Sequence, residues 1–189
     1  MVLERALVLI KPDGILRSLV GEILSRFEKI GLKIIAMKMV WADEKLANQH
    51  YILEEEWAKK MHERTKKTRE AEGHPFPHKD YMEYGKLVQG WNISFLCEGP
   101  VIAFVLEGPH AVEIVRKIIG HTEPRQSSPG TIRGDYAMTE SYALANDNNR
   151  VTRNLVHASD SVETAEREIA IWFKKSELHS YKKELDKHF

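Results

Sequence analysis

The sequence predicts an α/β or α+β sandwich, and three observations carry that prediction. Two short apolar runs, residues 6–10 and 101–106, are each followed by apolar residues at helical spacing. A third apolar run lies between them at residues 33–40, and residues 163–173 form a further amphipathic stretch. Strand–helix–strand followed by another strand and helix is the order in which helices cover a sheet.

Ala6-Leu7-Val8-Leu9-Ile10 is continuously apolar and ends at Lys11-Pro12-Asp13-Gly14, whose Pro, Asp and Gly together mark a turn. Leu19, Val20, Ile23, Leu24, Phe27 and Ile30 then recur at helical spacing, and Gly31 is a C-terminal stop. Residues 33–40 read as a strand. After Gly99-Pro100, residues 101–106 read as a buried strand, and Val112, Ile114, Val115, Ile118 and Ile119 as a helical stripe closed by Gly120. In residues 163–173, Ala165, Ile169, Trp172 and Phe173 form the apolar face, with Ser161 as N-cap. Two stretches interrupt this plan. Residues 54–90 are charged, helical in their first half and, with Pro75 and Pro77, an irregular arm in their second. Residues 141–153 read as a polar excursion. The whole of 1–189 is expected to be one domain carrying these two insertions, without internal repeats.

Composition narrows the function classes. The chain has 189 residues, 28 Lys+Arg against 28 Asp+Glu, and 42% hydrophobic residues, enough for a real core. Zero net charge argues against a dedicated nucleic-acid coat or a basic membrane-surface binder, although a local basic patch stays open. Cys97 is the single cysteine, which excludes an internal disulfide and any multi-cysteine zinc site. No apolar run near the start is long enough for a membrane span or laid out as an export signal, so a soluble cytoplasmic protein is expected.

No glycine-rich phosphate loop of either standard kind is present. Candidate anion-holding groups are Lys11 after a strand, Arg116 in a helix and Arg133 in Pro129-Gly130-Thr131-Ile132-Arg133-Gly134-Asp135. Each, taken alone, reads first as a solvated surface charge. Of nine histidines, His157 has the most suggestive setting, directly before the helix cap at Ser161. Proton carriage, metal ligation and nucleophilic attack are all open to it. A nucleophilic imidazole needs a partner on its other ring nitrogen, and Glu168 on the following helix is a candidate. Metal binding has little support: no H-E-x-x-H pair exists, and His74 and His78, four apart, are separated by two prolines and cannot share a helix face.

Read in order, these pieces resemble nucleoside diphosphate kinases. The matching blocks are residues 4–14, 99–101 with 105–108, 111–120, 129–135 and 154–161 (Asn-Leu-Val-His-Ala-Ser-Asp-Ser), and then the helix from Val162 to Ile169. They fall in family order and cover most of the chain. The resemblance implies a ferredoxin-like fold, a four-stranded antiparallel sheet covered by helices, assembled as hexamers or tetramers. It implies transfer of the γ-phosphoryl group of a nucleoside triphosphate, typically ATP, to a nucleoside diphosphate through a phosphohistidine, which maintains NTP and dNTP pools. Mg2+ is expected on the nucleotide phosphates, with no protein side chain as metal ligand. By the family pattern His157 is the nucleophile, Glu168 orients it and Ser159 supports the pair. Lys11 meets the transferring group; Arg116, Thr122 and Arg133 hold phosphates; Asn154 and Lys11 contact the sugar and phosphate end; Tyr51 lies near the site. Nucleic acid and membrane are not expected partners.

Three departures accompany the resemblance. Ala158 stands where the family usually has glycine, which strains the backbone if that position needs positive φ and costs nothing if the backbone is ordinary. The segment between Tyr51 and Gly99 is longer than the family norm, and the family's base-stacking phenylalanine has no counterpart at the expected offset. Trp91, Phe76 and Tyr84 are the alternatives. The segment between Asp135 and Asn154 is longer too. Both insertions read either as surface decoration or, for 54–90, as an arm that covers the nucleotide site or packs on a neighbouring subunit. A regulatory protein that kept the fold without turnover is the rival class, and phosphate transfer from His157 to a protein partner is a second enzymatic reading.

Overall fold

A computed structural model describes residues 3–71 and 73–184. Four strands form one antiparallel sheet in the order β2-β3-β1-β4: β1 is Leu3–Ile10, β2 Lys33–Val40, β3 Val101–Pro109 and β4 Val156–Ala158. This is the ferredoxin-like sandwich that the resemblance implies. The unbroken apolar character of residues 6–10 has a simple cause. Ala6, Val8 and Ile10 enter one core cluster, Leu7 and Leu9 the other, and all five are fully buried. A sheet covered on both faces has no wet side to demand alternating polar residues.

On one face, α2 (Val20–Lys29) contributes Ile23 and Phe27, and α6 (Ala111–Ile119) contributes Val112, Val115 and Ile119. On the other face lie Ala47 of α3 (Glu44–His50), Leu96 of α5 (Tyr81–Cys97), and Ile169 and Trp172 of α9 (Val162–Trp172). The Ser161 side chain caps α9 by accepting from the Thr164 N–H at 3.0 Å. Lys11-Pro12-Asp13-Gly14 is more than a turn: α1 (Pro12–Leu16) starts there, with Pro at a position whose missing N–H costs nothing.

The insertions are more regular than their composition suggests. Residues 73–80 are irregular, but α4 (Glu55–Ala71) and α5 flank them as two helices of 17 residues each. The expectation of an irregular second half holds for residues 73–80 and fails from Tyr81 onward, where α5 is held from both ends: Asp80 caps it, and Phe95 and Leu96 are buried. α4 carries the i,i+4 pairs Glu55–Lys59, Glu56–Lys60 and Lys66–Glu70, each worth about 0.2–0.5 kcal/mol. Its buried stripe is Ala58, Met61, Thr65 and Arg69. The two helices cross at Gly85, where a Cβ would stand 2.8 Å from the Ala58 Cβ. The polar excursion likewise contains a helix, α8 (Tyr142–Asp147), capped by Ser141. It is bound to the first insertion, with Tyr84 Oη donating to Asn146 Oδ1 at 2.9 Å and Arg69 paired to Asp147 at 2.9 Å. The short remaining helix, α7 (Ile132–Tyr136), carries Arg133.

Candidate active site

His157 is the middle residue of β4, opposite Leu9 of β1. It is aimed by the turn before it. Leu155 has φ of 68°, and the Val156 N–H bonds back to the Asn154 carbonyl at 2.8 Å, a γ-turn. A buried leucine in that region costs roughly 1–2 kcal/mol. It is held there by the Asp13 carboxylate, which accepts its N–H at 3.0 Å, and by the Lys11 N–H, which donates to its carbonyl at 2.8 Å. Ala158, by contrast, sits in ordinary strand backbone and is absent from the positive-φ residues, so its methyl carries no strain.

The imidazole is partly open, at 21% side-chain exposure, and its Nε2 lies 3.0 Å from Glu168 Oε2 on α9. The same oxygen accepts the Ser159 hydroxyl at 2.6 Å. Burial pushes the Glu168 carboxyl up, but the His157 charge and hydrogen bond, His50 and Ser159 outweigh it and hold the group down to about 2. A carboxylate only accepts, so His157 Nε2 carries the proton and Nδ1 keeps its lone pair.

Lys11, Asn154, Arg133 and Thr122 form a second network. Lys11 Nζ donates to Asn154 Oδ1 at 2.7 Å, and Asn154 Nδ2 donates to the Thr122 carbonyl at 2.8 Å. Burial, helped by Arg133 and opposed by Asp13, brings the Lys11 ammonium down to about 8. Arg133 is also buried, and burial lowers it to about 10. Its Nε, Nη1 and Nη2 donate to the carbonyls of Asn154, Gly120 and Val156 at 3.1, 3.1 and 2.7 Å. A guanidinium has five N–H groups, so two remain for a ligand. These four residues, Tyr51 and His157 line one cavity of about 190 Å3. Burial and Glu168 push the Tyr51 phenol well above its ordinary value, which keeps it neutral.

Arg116 is placed differently. It is exposed on α6 and lines an adjoining cleft with Asp160, Arg167 and Glu168, which meets the first cavity at His157, Tyr51 and Trp57.

Sequence reasoning overlooked His50. It is buried at the end of α3 with its ring 4.4 Å from that of His157, nearly perpendicular. Its Nδ1 accepts from Trp172 Nε1 at 3.3 Å, and burial together with His157 holds it well below the usual histidine range. It is therefore a neutral wall against the imidazole. The only signal in the sequence was its place beside Tyr51. The insertions contribute too: Tyr84 and Trp91 of α5, two of the stacking alternatives, line the cavity, as do Trp57 and Arg64 of α4 and Tyr142 and Asn146 of α8, which sequence reasoning did not single out. Phe76, one of the stacking alternatives, does not; it packs on His62, His78 and Tyr84.

His50, His157 and Glu168 bring ligand atoms within 4.8 Å of one another. They make a poor cation site. His50 Nδ1 and His157 Nε2 are already committed to hydrogen bonds, and a hard divalent ion wants several oxygen ligands. Among the described residues no carboxylate lines the cavity with Lys11 and Arg133.

The family model described as nucleoside diphosphate kinase matches residues 4–69 and 56–178. The chain belongs to the nucleoside diphosphate kinase family. The kinase of Pyrobaculum aerophilum is 44% identical over 182 residues, covering 94% of this chain and 99% of that protein. That of Pyrococcus furiosus is 43% identical over 183 residues, covering 97% and 91%. Among solved structures, an NDP kinase from P. aerophilum superposes with a TM-score of 0.90 at 42% identity, covering 95% of this chain and all of the other. A transition-state mimic of the Borrelia burgdorferi kinase with bound vanadate and ADP superposes at 0.81 with 36% identity, covering 98% and 96%. As a nucleoside diphosphate kinase the chain is a phosphotransferase, moving the terminal phosphoryl group of a nucleoside triphosphate to a nucleoside diphosphate. Coverage of this extent also means that such kinases share its length, insertions included.

Proposed function

We propose that His157 Nδ1 is the atom that carries the phosphoryl group. One observation supports this above the others: Nε2 is bound to a buried carboxylate, which leaves Nδ1 as the ring nitrogen with a lone pair, on a ring that borders the cavity. The Nδ1 lone pair attacks the γ-phosphorus. The bond to the bridging oxygen breaks, and its electrons leave with the nucleoside diphosphate. Positive charge gathered by the phosphorylated ring is balanced by Glu168, which Ser159 holds in place. A second nucleoside diphosphate then attacks phosphorus through a terminal phosphate oxygen, the N–P bond breaks, and His157 returns to its neutral form. This is a ping-pong cycle that levels the NTP and dNTP pools, with ATP the usual donor.

Phosphoryl transfer is chiefly positioning and charge stabilisation. Lys11 supplies charge to the transferring group, and the two unused N–H groups of Arg133 and the backbone and side chain of Thr122 reach the phosphates. Tyr51 and Asn154 border the same path, and Arg116 closes on the phosphates from the adjoining cleft. A divalent cation such as Mg2+ entering with the nucleotide would supply further positive charge to the phosphates beside Lys11, Arg116 and Arg133. The enzyme is read as a cytoplasmic homo-oligomer, hexameric or tetrameric; β2 is an edge strand whose Met37 and Met39 are exposed, an apolar edge suited to a second copy. No helix among the described residues is long and apolar enough to cross a membrane.

Brief incubation with γ-labelled ATP tests the reading. An acid-labile label is expected on the protein, discharged by GDP or CDP and absent from His157→Ala. A label that persists in that variant overturns the assignment.

A further inference from the structure

One face of α9 meets two imidazoles. Glu168 and Trp172 are four residues apart on that helix, so they lie one above the other. Glu168 Oε2 accepts from His157 Nε2 at 3.0 Å, and Trp172 Nε1 donates to His50 Nδ1 at 3.3 Å. The other carboxylate oxygen, Oε1, lies 3.9 Å from that same His50 nitrogen, and the Arg167 guanidinium comes no nearer to it than 3.8 Å. An indole nitrogen only donates, so His50 Nδ1 is an acceptor and the neutral ring carries its proton on Nε2. That Nε2 is buried and has no hydrogen-bond partner among the described residues. The opposite tautomer would put a donor on Nδ1, facing a carboxylate oxygen that His157 and Ser159 leave unused. His50 is thus kept in the form that leaves a buried donor unpaired, which is costly. Trp172 keeps it there, because its own buried N–H would lose its acceptor in the other form.

We propose that His50 is a positioning residue for His157: locked by Trp172, its ring backs the reacting imidazole without competing for Glu168. The proposal rests on the reading that His157 is the nucleophile. The two rings lie 4.4 Å apart and nearly perpendicular, an edge-to-face contact that resists tilting of His157. Glu168 can give its full charge to one imidazole only, and with the His50 proton on Nε2 that imidazole is His157. A His50 released from Trp172 takes its proton on Nδ1 and donates to Oε1. It then draws the carboxylate charge away from the His157 ring at the moment that ring gains positive charge. In this way α9 sorts two adjacent histidines, giving one a carboxylate and the other an N–H.

The test is a double-mutant cycle on Trp172→Phe and His50→Phe, read by rapid-quench labelling at saturating γ-labelled ATP. Trp172→Phe frees His50 Nδ1 and is expected to slow labelling about fivefold with the KM for ATP kept. His50→Phe keeps a ring against His157 and cannot donate, so adding Trp172→Phe to it brings no further loss. His50→Ala removes the backing ring and slows labelling about tenfold, and His50→Phe recovers most of that rate. Histidine-selective 15N spectra of the wild-type enzyme give a reading that needs no variant: both rings are expected to carry the proton on Nε2 and a bare Nδ1. A proton on His50 Nδ1 overturns the proposal. So does a Trp172→Phe labelling rate within about a factor of two of wild type. A Trp172→Phe loss just as large in the His50→Phe background overturns it too, because packing alone would then explain the loss. Absence of label on wild-type His157 would instead sink the phosphohistidine reading itself, so the two failures are distinct.

Discussion

Glu168→Gln isolates the charge beneath His157, the proposed nucleophile. The carboxylate oxygen that meets His157 at 3.0 Å and Ser159 at 2.6 Å can be matched by the amide oxygen of glutamine, so both hydrogen bonds keep an acceptor. The amide nitrogen then takes the place of Oε1, which in the wild type lies 3.8 Å from the Arg167 guanidinium and 3.9 Å from His50 Nδ1. Shape is conserved and the negative charge is lost. A hydrogen bond to a charged group is worth about 1.5–3 kcal/mol against about 0.5–1.5 for a neutral one, so the developing positive ring loses about 1–1.5 kcal/mol. At 1.36 kcal/mol per decade this slows phosphoryl transfer to His157 by about tenfold. Rapid-quench measurement of the acid-labile label at saturating γ-labelled ATP reads that step directly. Glu168→Ala, which leaves Nε2 without an acceptor, is expected to fall further. A labelling rate for Glu168→Gln within a factor of about two of wild type refutes the argument that charge, rather than shape, is what Glu168 contributes.

Three other outcomes follow from the geometry. Lys11 is brought from 10.5 to about 8, so above pH 8 the unfolded chain binds the proton better than the folded one, and stability climbs with pH up to 10.5. Below pH 8 the buried ammonium is a full cost, and Lys11→Met is expected to melt about 2–4 °C higher at pH 7 while losing phosphorylation; a lower melting temperature contradicts the burial argument. Ala158→Gly introduces the family's usual residue into ordinary strand backbone and is expected to lose about 0.5–1 kcal/mol in urea unfolding with turnover unchanged, whereas a gain in stability would show hidden strain. Gly85→Val drives a side chain into Ala58, costs about 1–3 kcal/mol, and is expected to raise nucleotide KM more than it lowers kcat; equal effects on both would separate the α4–α5 crossing from substrate binding.

Much of this protein was legible along the chain because its signals are local. The run from Ala6 to Ile10, the stripe from Val112 to Ile119 with its Gly120 stop, and the Ser161 cap each declare their element within a few residues, and the structure returns them nearly unchanged. The Asn154–Ser161 block points to His157, and Glu168 follows one helix later. In the insertions the helical first half of 54–90 was legible as α4, but α5 from Tyr81 onward and α8 were not read as helices. α4 is held by salt pairs and one narrow stripe, α5 by a cap and two buried residues at its far end, and α8 by partners some sixty to eighty residues away in sequence, as with Tyr84 and Asn146, whose separation is 62. Such elements owe their stability to packing, which no window of sequence contains.

What the sequence determined by itself was the sandwich and the family, and it singled out His157 as the candidate nucleophile, because hydrophobic period and short motifs are written in neighbouring residues. The tertiary structure alone decided the protonation pattern and the shape of the pocket. His50 lies 107 positions from His157 and Lys11 lies 143 from Asn154, counted along the chain, yet each pair is in contact. Burial and the meeting of distant charges set which nitrogen keeps its lone pair, and both are properties of the packed molecule.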